Sequence, residues 1–121
     1  MLVFLVDDDP IQIMLTSHLV GMYEGNVESV VYNNGEEIIE GLDEGLLPDV
    51  ILLDINMPIM GGFEFLNIYE DYAVKAKVFL LSSSVNEEDR KQAEKYSCVA
   101  GYYTKPISKE SVHEMLRSAE K

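Results

Sequence analysis

Four places in the chain carry side chains that could do chemistry with oxygen: Asp7-Asp8-Asp9, Asp54, Ser82-Ser83-Ser84, and Lys105 followed by Pro106. Each stands at the end of a short run that reads as a buried strand: Leu2 to Val6, Val50 to Leu53, Lys77 to Leu81 and Val99 to Tyr103. If the first and third strands are neighbours, several carboxylates converge within a few ångströms. Like charges that close do not all stay ionised unless a cation joins them. The available donors are oxygens and they are few, so positions stay open for water and phosphate, which favours Mg2+ over Ca2+. The Lys105 ammonium can pair with a carboxylate at rest and with a phosphoryl oxygen later, while the Ser82 hydroxyl can serve another such oxygen.

The elements that must position these groups follow from local chemistry. Leu2 to Val6 is too short for a helix and stops at acid and Pro10, as a buried strand does. Asp9 is expected to cap a helix that has Pro10 in its first position. In that helix Ile11, Met14, Leu15, Leu19 and Met22 recur at helical spacing as far as Gly25, which predicts the packed stripe and puts His18 within it. A second strand is predicted over Val27 to Tyr32. Asn34 then caps a helix that buries Ile38, Ile39 and Leu42. Val50 to Leu53 is apolar on both faces, the mark of a central parallel strand. Beyond the Pro and Gly loop from Met57 to Gly62, Phe63, Leu66 and Tyr69 define a third helix. A fourth starts near Asn86, with Glu87, Glu88 and Asp89 in its first turn, and fades near Tyr96. Ser108 caps the last, which packs through Val112, Met115, Leu116 and Ala119 and leaves His113 exposed.

Five strands, each followed by a helix, predict an α/β fold of the doubly wound kind. Its sheet is parallel and five-stranded and carries helices on both faces. Ligands of such sheets bind beyond the carboxyl ends of the strands, where all four chemical segments fall. The 121 residues make one domain, 1–121. With 9 Lys and Arg against 22 Asp and Glu, the net charge of −13 repels nucleic acid and anionic membrane surfaces. Cys98 is the single cysteine and is expected as a small buried filler. It can form no disulfide within the chain, no apolar stretch is long enough to span a membrane, and Met1 to Val6 has no basic leader. A cytoplasmic protein is expected.

The chain resembles the response-regulator receiver domains of two-component signalling over essentially its whole length, and the resemblance implies a flavodoxin-like sheet with strand order 2-1-3-4-5. The resemblance rests on Asp7 and Asp8 after strand one, Asp54 after strand three, Ser82 after strand four, and Lys105-Pro106 after strand five. Asp54-Ile55-Asn56-Met57-Pro58 with Gly61 or Gly62, and Ser83 as the small residue beside the phosphate, resemble the family as well. The resemblance implies that Asp54 takes a phosphoryl group from a phosphohistidine. It implies Mg2+ bound by Asp8, by Asp7 through water, by Asp54 and by the backbone carbonyl of Asn56. Lys105 and Ser82 would hold phosphoryl oxygens, and Tyr102, three before the lysine, would be the aromatic switch.

Some of the same residues also have blander roles open to them. Asp9 is a helix cap rather than a ligand, because Pro10 follows it. Tyr102 could merely cover the outermost strand, but Tyr103 beside it points to the opposite face. The implied partners are a histidine kinase or phosphotransfer protein and, since the sequence ends at Lys121, a separate downstream protein. No nucleic acid or membrane partner is expected, and the chain should be a monomer or weak dimer. Its enzymatic character is limited to its own phosphorylation and dephosphorylation. One alternative is a Mg2+-dependent phosphohydrolase using an aspartyl phosphate. That chemistry calls for an acid two residues after the nucleophile, where Asn56 stands. A nucleotide or flavin binder would cradle phosphate after strand one, where three acids repel it instead. A receiver-like scaffold that is never phosphorylated would have no use for the full set of site residues.

Overall fold

The structure, a computed structural model, describes residues 1–73, 75–84 and 86–120. Five strands alternate with five helices: β1 (Leu2–Val6), α1 (Pro10–Gly21), β2 (Glu28–Tyr32), α2 (Gly35–Asp43), β3 (Val50–Asp54), α3 (Gly62–Tyr69), β4 (Lys77–Ser82), α4 (Glu87–Ala93), β5 (Val99–Thr104) and α5 (Lys109–Ala119). The strands form one parallel sheet in the order β2-β1-β3-β4-β5. Sequence and structure agree on the fold class, and β5 is an edge strand as expected.

The all-apolar central strands create two cores, because alternate side chains leave a strand on opposite faces. On one face Phe4, Val6, Ile51, Leu53, Val78 and Leu80 pack against Ile38 of α2 and Phe65, Leu66 and Tyr69 of α3. On the other, Val3, Leu5, Val50, Leu52, Phe79 and Leu81 pack against Val20 of α1 and Val112, Met115 and Leu116 of α5. Tyr69 is buried, and its hydroxyl accepts a hydrogen bond from the Ala76 amide at 2.7 Å, which pins the end of α3 to the entry of β4.

Three helix starts carry the expected caps. Asp9 Oδ1 accepts from the Ile11 amide at 2.9 Å, Asn34 Oδ1 from Glu37 at 3.0 Å and Ser108 Oγ from Ser111 at 3.1 Å. Asp9→Ala should therefore lower stability by about 1 kcal/mol, measured by urea unfolding. A loss no larger than that of an exposed polar residue elsewhere would show that the cap contributes nothing.

Helix α1 departs from the reading of its sequence. Ile11, Met14, Leu15 and Met22 are exposed, and the packed side is made by Val20 with the half-buried Ile13 and Leu19. Nearly every turn of Pro10–Gly21 offers an apolar residue on more than one side, so spacing alone selects no face. His18 is consequently exposed rather than packed. His113 is half-buried rather than exposed, with Nε2 3.0 Å from the carbonyl oxygen of Leu19 at the end of α1. Helices α1 and α4 also stop earlier than expected, at Gly21 and Ala93. Cys98 is buried as expected; burial first and then the Glu70 charge push its thiol pKa up, which keeps it unreactive.

Candidate functional site

The register of the sheet brings the four segments together. Val6 pairs with Leu53, so the next residues, Asp7 and Asp54, lie side by side across β1 and β3. Asp54 pairs with Leu81, and Ser82 with Thr104, which places Ser82 and Lys105 at the same end of the sheet. The Lys105 amide donates to the Ser82 carbonyl at 2.7 Å, and the Lys105–Pro106 bond is cis. Ser82 and Asp54 are the last residues of their strands rather than the first residues of loops.

Asp7, Asp54 and Ser82 are buried, while Asp8 is exposed to solvent. Lys105 Nζ lies 2.6 Å from Asp7 Oδ2 and 3.3 Å from Asp54 Oδ1. Asp7 Oδ1 accepts from the Asp9 amide at 2.9 Å, and Asp54 Oδ1 accepts from the Ile55 amide at 3.0 Å. Among the described residues Asp54 Oδ2 takes no hydrogen bond, so one oxygen of the carboxylate is held and the other is left available.

Charge in this cluster is incompletely balanced. Burial, reinforced by the neighbouring Asp7, pushes the Asp54 pKa up to about 6, even though Lys105 and the Ile55 amide pull it down. Burial works to lower the pKa of Lys105, but its hydrogen bond to Asp7 and the charges of Asp54 and Asp7 outweigh that and hold it above its ordinary value. One ammonium thus serves two carboxylates, with a third beside them. Asp7, Asp8 and Asp54 each offer one oxygen, and these oxygens lie within 4.8 Å of one another. An all-oxygen cluster with excess negative charge and one solvent-facing member fits a hard divalent cation that keeps part of its water.

The loop after Asp54 is shaped by close backbone approach. A Cβ at Gly62 would lie 2.7 Å from the Asp54 carbonyl oxygen, and one at Gly61 2.9 Å from that of Ile55. The Gly62 amide donates to the Ile55 carbonyl at 2.8 Å. Both glycines are therefore needed to fold the loop back under the end of β3. Within it, Asn56 is exposed, and Ile59 has φ 69° with 74% of its surface exposed, a strained conformation for a β-branched residue.

Ser82 and Tyr102 occupy the side of the site toward β5. Ser82 Oγ donates to the Ser84 carbonyl at 3.0 Å and accepts from the Ser84 amide at 3.2 Å, so its hydroxyl is engaged by its own loop. Ser83 is exposed. Tyr102 packs against the α2 and α3 side of the sheet and Tyr103 against the α1 and α5 side, as strand alternation requires. The Tyr102 hydroxyl is already buried, with no hydrogen-bond partner among the described residues. The Arg90 guanidinium lies over its ring, Cζ 5.0 Å from the centroid. The sequence does not single out Arg90, because nothing in the spacing of α4 says which residue of β5 it will meet.

Comparison with known proteins shows the family to which this fold belongs. The family model described as "Response regulator receiver domain" matches residues 3–117. The nitrate/nitrite response regulator protein NarL of Escherichia coli is 34% identical over 117 residues, covering 97% of this chain and 53% of its own length. The positive alginate biosynthesis regulatory protein of Pseudomonas aeruginosa is 34% identical over 119 residues, covering 97% of this chain and 46% of its own. The chain thus spans about half the length of the curated relatives it matches. Among solved structures, a two component response regulator from Cytophaga hutchinsonii aligns with TM-score 0.84 and 30% identity, covering 98% of this chain and 95% of that one. The signal receiver domain of the NarL regulator from Mycobacterium tuberculosis aligns with TM-score 0.85 and 26% identity, covering 98% and 94%. No helix of the described residues is long and apolar enough to cross a membrane. A strand-end cluster of three acids, a serine and a lysine, on a sheet of order 2-1-3-4-5 and in a chain matched from residue 3 to 117, identifies a member of the response regulator receiver domain family of two-component systems.

Proposed function

We propose that the protein is a phosphorylation-controlled switch in which Asp54 accepts a phosphoryl group from the phosphohistidine of a histidine kinase or phosphotransfer protein. The observation that carries this is the asymmetry of Asp54: Oδ1 is held by Lys105 and the Ile55 amide, and Oδ2 is free among the described residues. Oδ2 attacks phosphorus and the phosphorus–nitrogen bond breaks. The electron pair and a proton go to the leaving imidazole, and an acyl phosphate remains on Asp54. Lys105 Nζ, shared between two carboxylates at rest, turns part of its charge toward a phosphoryl oxygen, and Ser82 Oγ supplies a hydrogen bond to another.

Mg2+ would be held by Asp8 and Asp54, by Asp7 through water and by the Asn56 backbone carbonyl; when bound, it neutralises charge on the phosphoryl oxygens. The protein's own contribution is to keep the three acids converged. Asp8→Ala should weaken Mg2+ binding at least tenfold by calorimetry and slow phosphorylation in parallel, since it deletes a direct ligand without exposing the core. Equal affinity in the two proteins would remove Asp8 from the site. The function itself is tested by intact mass: with acetyl phosphate and Mg2+ the chain should gain one phosphoryl group, and with chelator present it should gain almost none. Absence of the added mass under both conditions would favour a receiver-like scaffold that is not phosphorylated.

To reach an oxygen on Asp54, Ser82 must give up its two contacts with Ser84, which frees the loop at the exit of β4. The Tyr102 ring responds to that space, and the surface of α4, β5 and α5 then presents a different face to a downstream partner. The family reading makes the chain a signalling domain of the cytoplasm that acts on its own acyl phosphate rather than on a free substrate.

A further inference from the structure

We infer that Arg90 is a positioning residue: its guanidinium, laid over the Tyr102 ring, holds that side chain in its buried orientation and so biases the switch before any phosphoryl group arrives. The inference rests on the reading of Tyr102 as the switch residue. It starts from an imbalance. A buried tyrosine hydroxyl normally finds a partner, and that of the half-buried Tyr102 has none among the described residues. The hydroxyl therefore favours turning out to water, and something else must keep the ring in.

Packing against the sheet supplies part of the restraint and Arg90 the rest. At 5.0 Å from the centroid its guanidinium is within range for attraction to the ring face. Among the described residues Arg90 forms no ion pair within 4.0 Å, so its charge is not committed to one of the many acids of the chain. The pair itself forms part of the wall of an open groove of about 370 Å³ that is also lined by Ala93, Tyr96, Val99 and Gly101. That groove gives the ring somewhere to go if the guanidinium is lifted. The planar, weakly hydrated guanidinium suits this stacking better than an ammonium does, so Lys at this position keeps the charge and loses most of the hold.

On this reading the pair biases an equilibrium between the ring held in and the ring turned into the groove rather than locking it. The space that Ser82 vacates on turning toward Asp54 favours the ring held in, so a restraint on the buried orientation raises the affinity for a phosphoryl mimic by at most the factor by which it favours that orientation. The test uses the full chain with its tyrosine rings labelled for NMR, Tyr102 being assigned by Tyr102→Phe. Without phosphoryl donor, Arg90→Ala should move the Tyr102 ring signal toward that of an exposed tyrosine and raise its accessibility to a soluble paramagnetic probe, with Arg90→Lys in between. The affinity for Mg2+ with beryllofluoride, a mimic of the phosphoryl group, should fall about two- to fivefold in Arg90→Ala. Lys91→Ala, on the same helix but away from the ring, should change neither reading. An unmoved Tyr102 ring in Arg90→Ala would overturn the role of Arg90. A ring that moves out while beryllofluoride affinity stays constant would support Arg90 as its restraint and overturn the coupling of Tyr102 to Asp54.

Discussion

Asp54→Asn and Asp54→Ala are expected to gain no phosphoryl group from acetyl phosphate and Mg2+ under conditions that add one to the unaltered chain. The amide or methyl that replaces the carboxylate has no oxygen nucleophile in reach of the donor, and Asp7 cannot substitute while Lys105 and the Asp9 amide hold its two oxygens. The same substitutions should make the metal-free protein more stable at neutral pH. The folded pKa of Asp54 is raised to about 6, against 3.8 for an unperturbed aspartate. The folded state therefore binds the proton more tightly than the unfolded state between about pH 4 and 6. Stability rises as pH falls through that window and is lost as pH rises past the folded pKa. A shift of that size corresponds to at most about 3 kcal/mol. Solvent entering beside the exposed Asp8 screens part of it, leaving a gain of about 1–2 kcal/mol for Asp54→Asn in chelator at pH 7. That advantage should shrink toward pH 5. Normal labelling of either variant would reject Asp54 as the acceptor, and an advantage that does not change with pH would show that its ionised carboxylate is not under strain.

The legible parts of this protein were those where one physical constraint dominates. Val50-Ile51-Leu52-Leu53 reads as a central parallel strand because it is short, apolar on both faces and stops at an acid. Asp7, Asp54, Ser82 and Lys105 were legible as a site because a doubly wound sheet collects the carboxyl ends of its strands on one side. What spacing does not contain is choice among equivalent faces. Helix α1 offers apolar residues nearly all round, so contact with α5 decides that Val20 is buried while Ile11, Met14 and Leu15 face solvent. The exposures expected of His18 and His113 are interchanged for the same reason. Contacts across long stretches of chain were equally out of reach. The fit of Gly62 against the Asp54 carbonyl, the turn of Ser82 toward Ser84 and the stacking of Arg90 on Tyr102 each depend on how separate segments meet.

Lys105→Ala should be the most damaging substitution for stability in the site, and the damage should depend on pH and on metal. In the resting protein one ammonium lies between two buried carboxylates, 2.6 Å from Asp7 and 3.3 Å from Asp54. Taking one partner from a buried charge pair typically costs about 3–5 kcal/mol, because the remaining charge keeps its desolvation penalty and loses its attraction. Here the molecule has an escape. With the lysine gone, Asp54, already displaced to about 6, is pushed further up and takes a proton near neutral pH, which caps the loss at about 2–4 kcal/mol. Lowering the pH protonates Asp54 without further cost and should narrow the gap between variant and parent. Added Mg2+ should narrow it too, since a cation bound to the folded state alone stabilises that state and takes over the neutralising role of the ammonium. Phosphorylation should not recover with metal, because the phosphoryl oxygen that Lys105 would hold still lacks its partner. Removing Asp54 in the Lys105→Ala background should restore more stability than removing it from the parent, the signature of two groups that interact directly. If Lys105→Ala unfolds in urea at the same midpoint as the parent at pH 7 in chelator, the ammonium is not what holds these carboxylates together. Their convergence would then have to come from the β1 and β3 backbones alone.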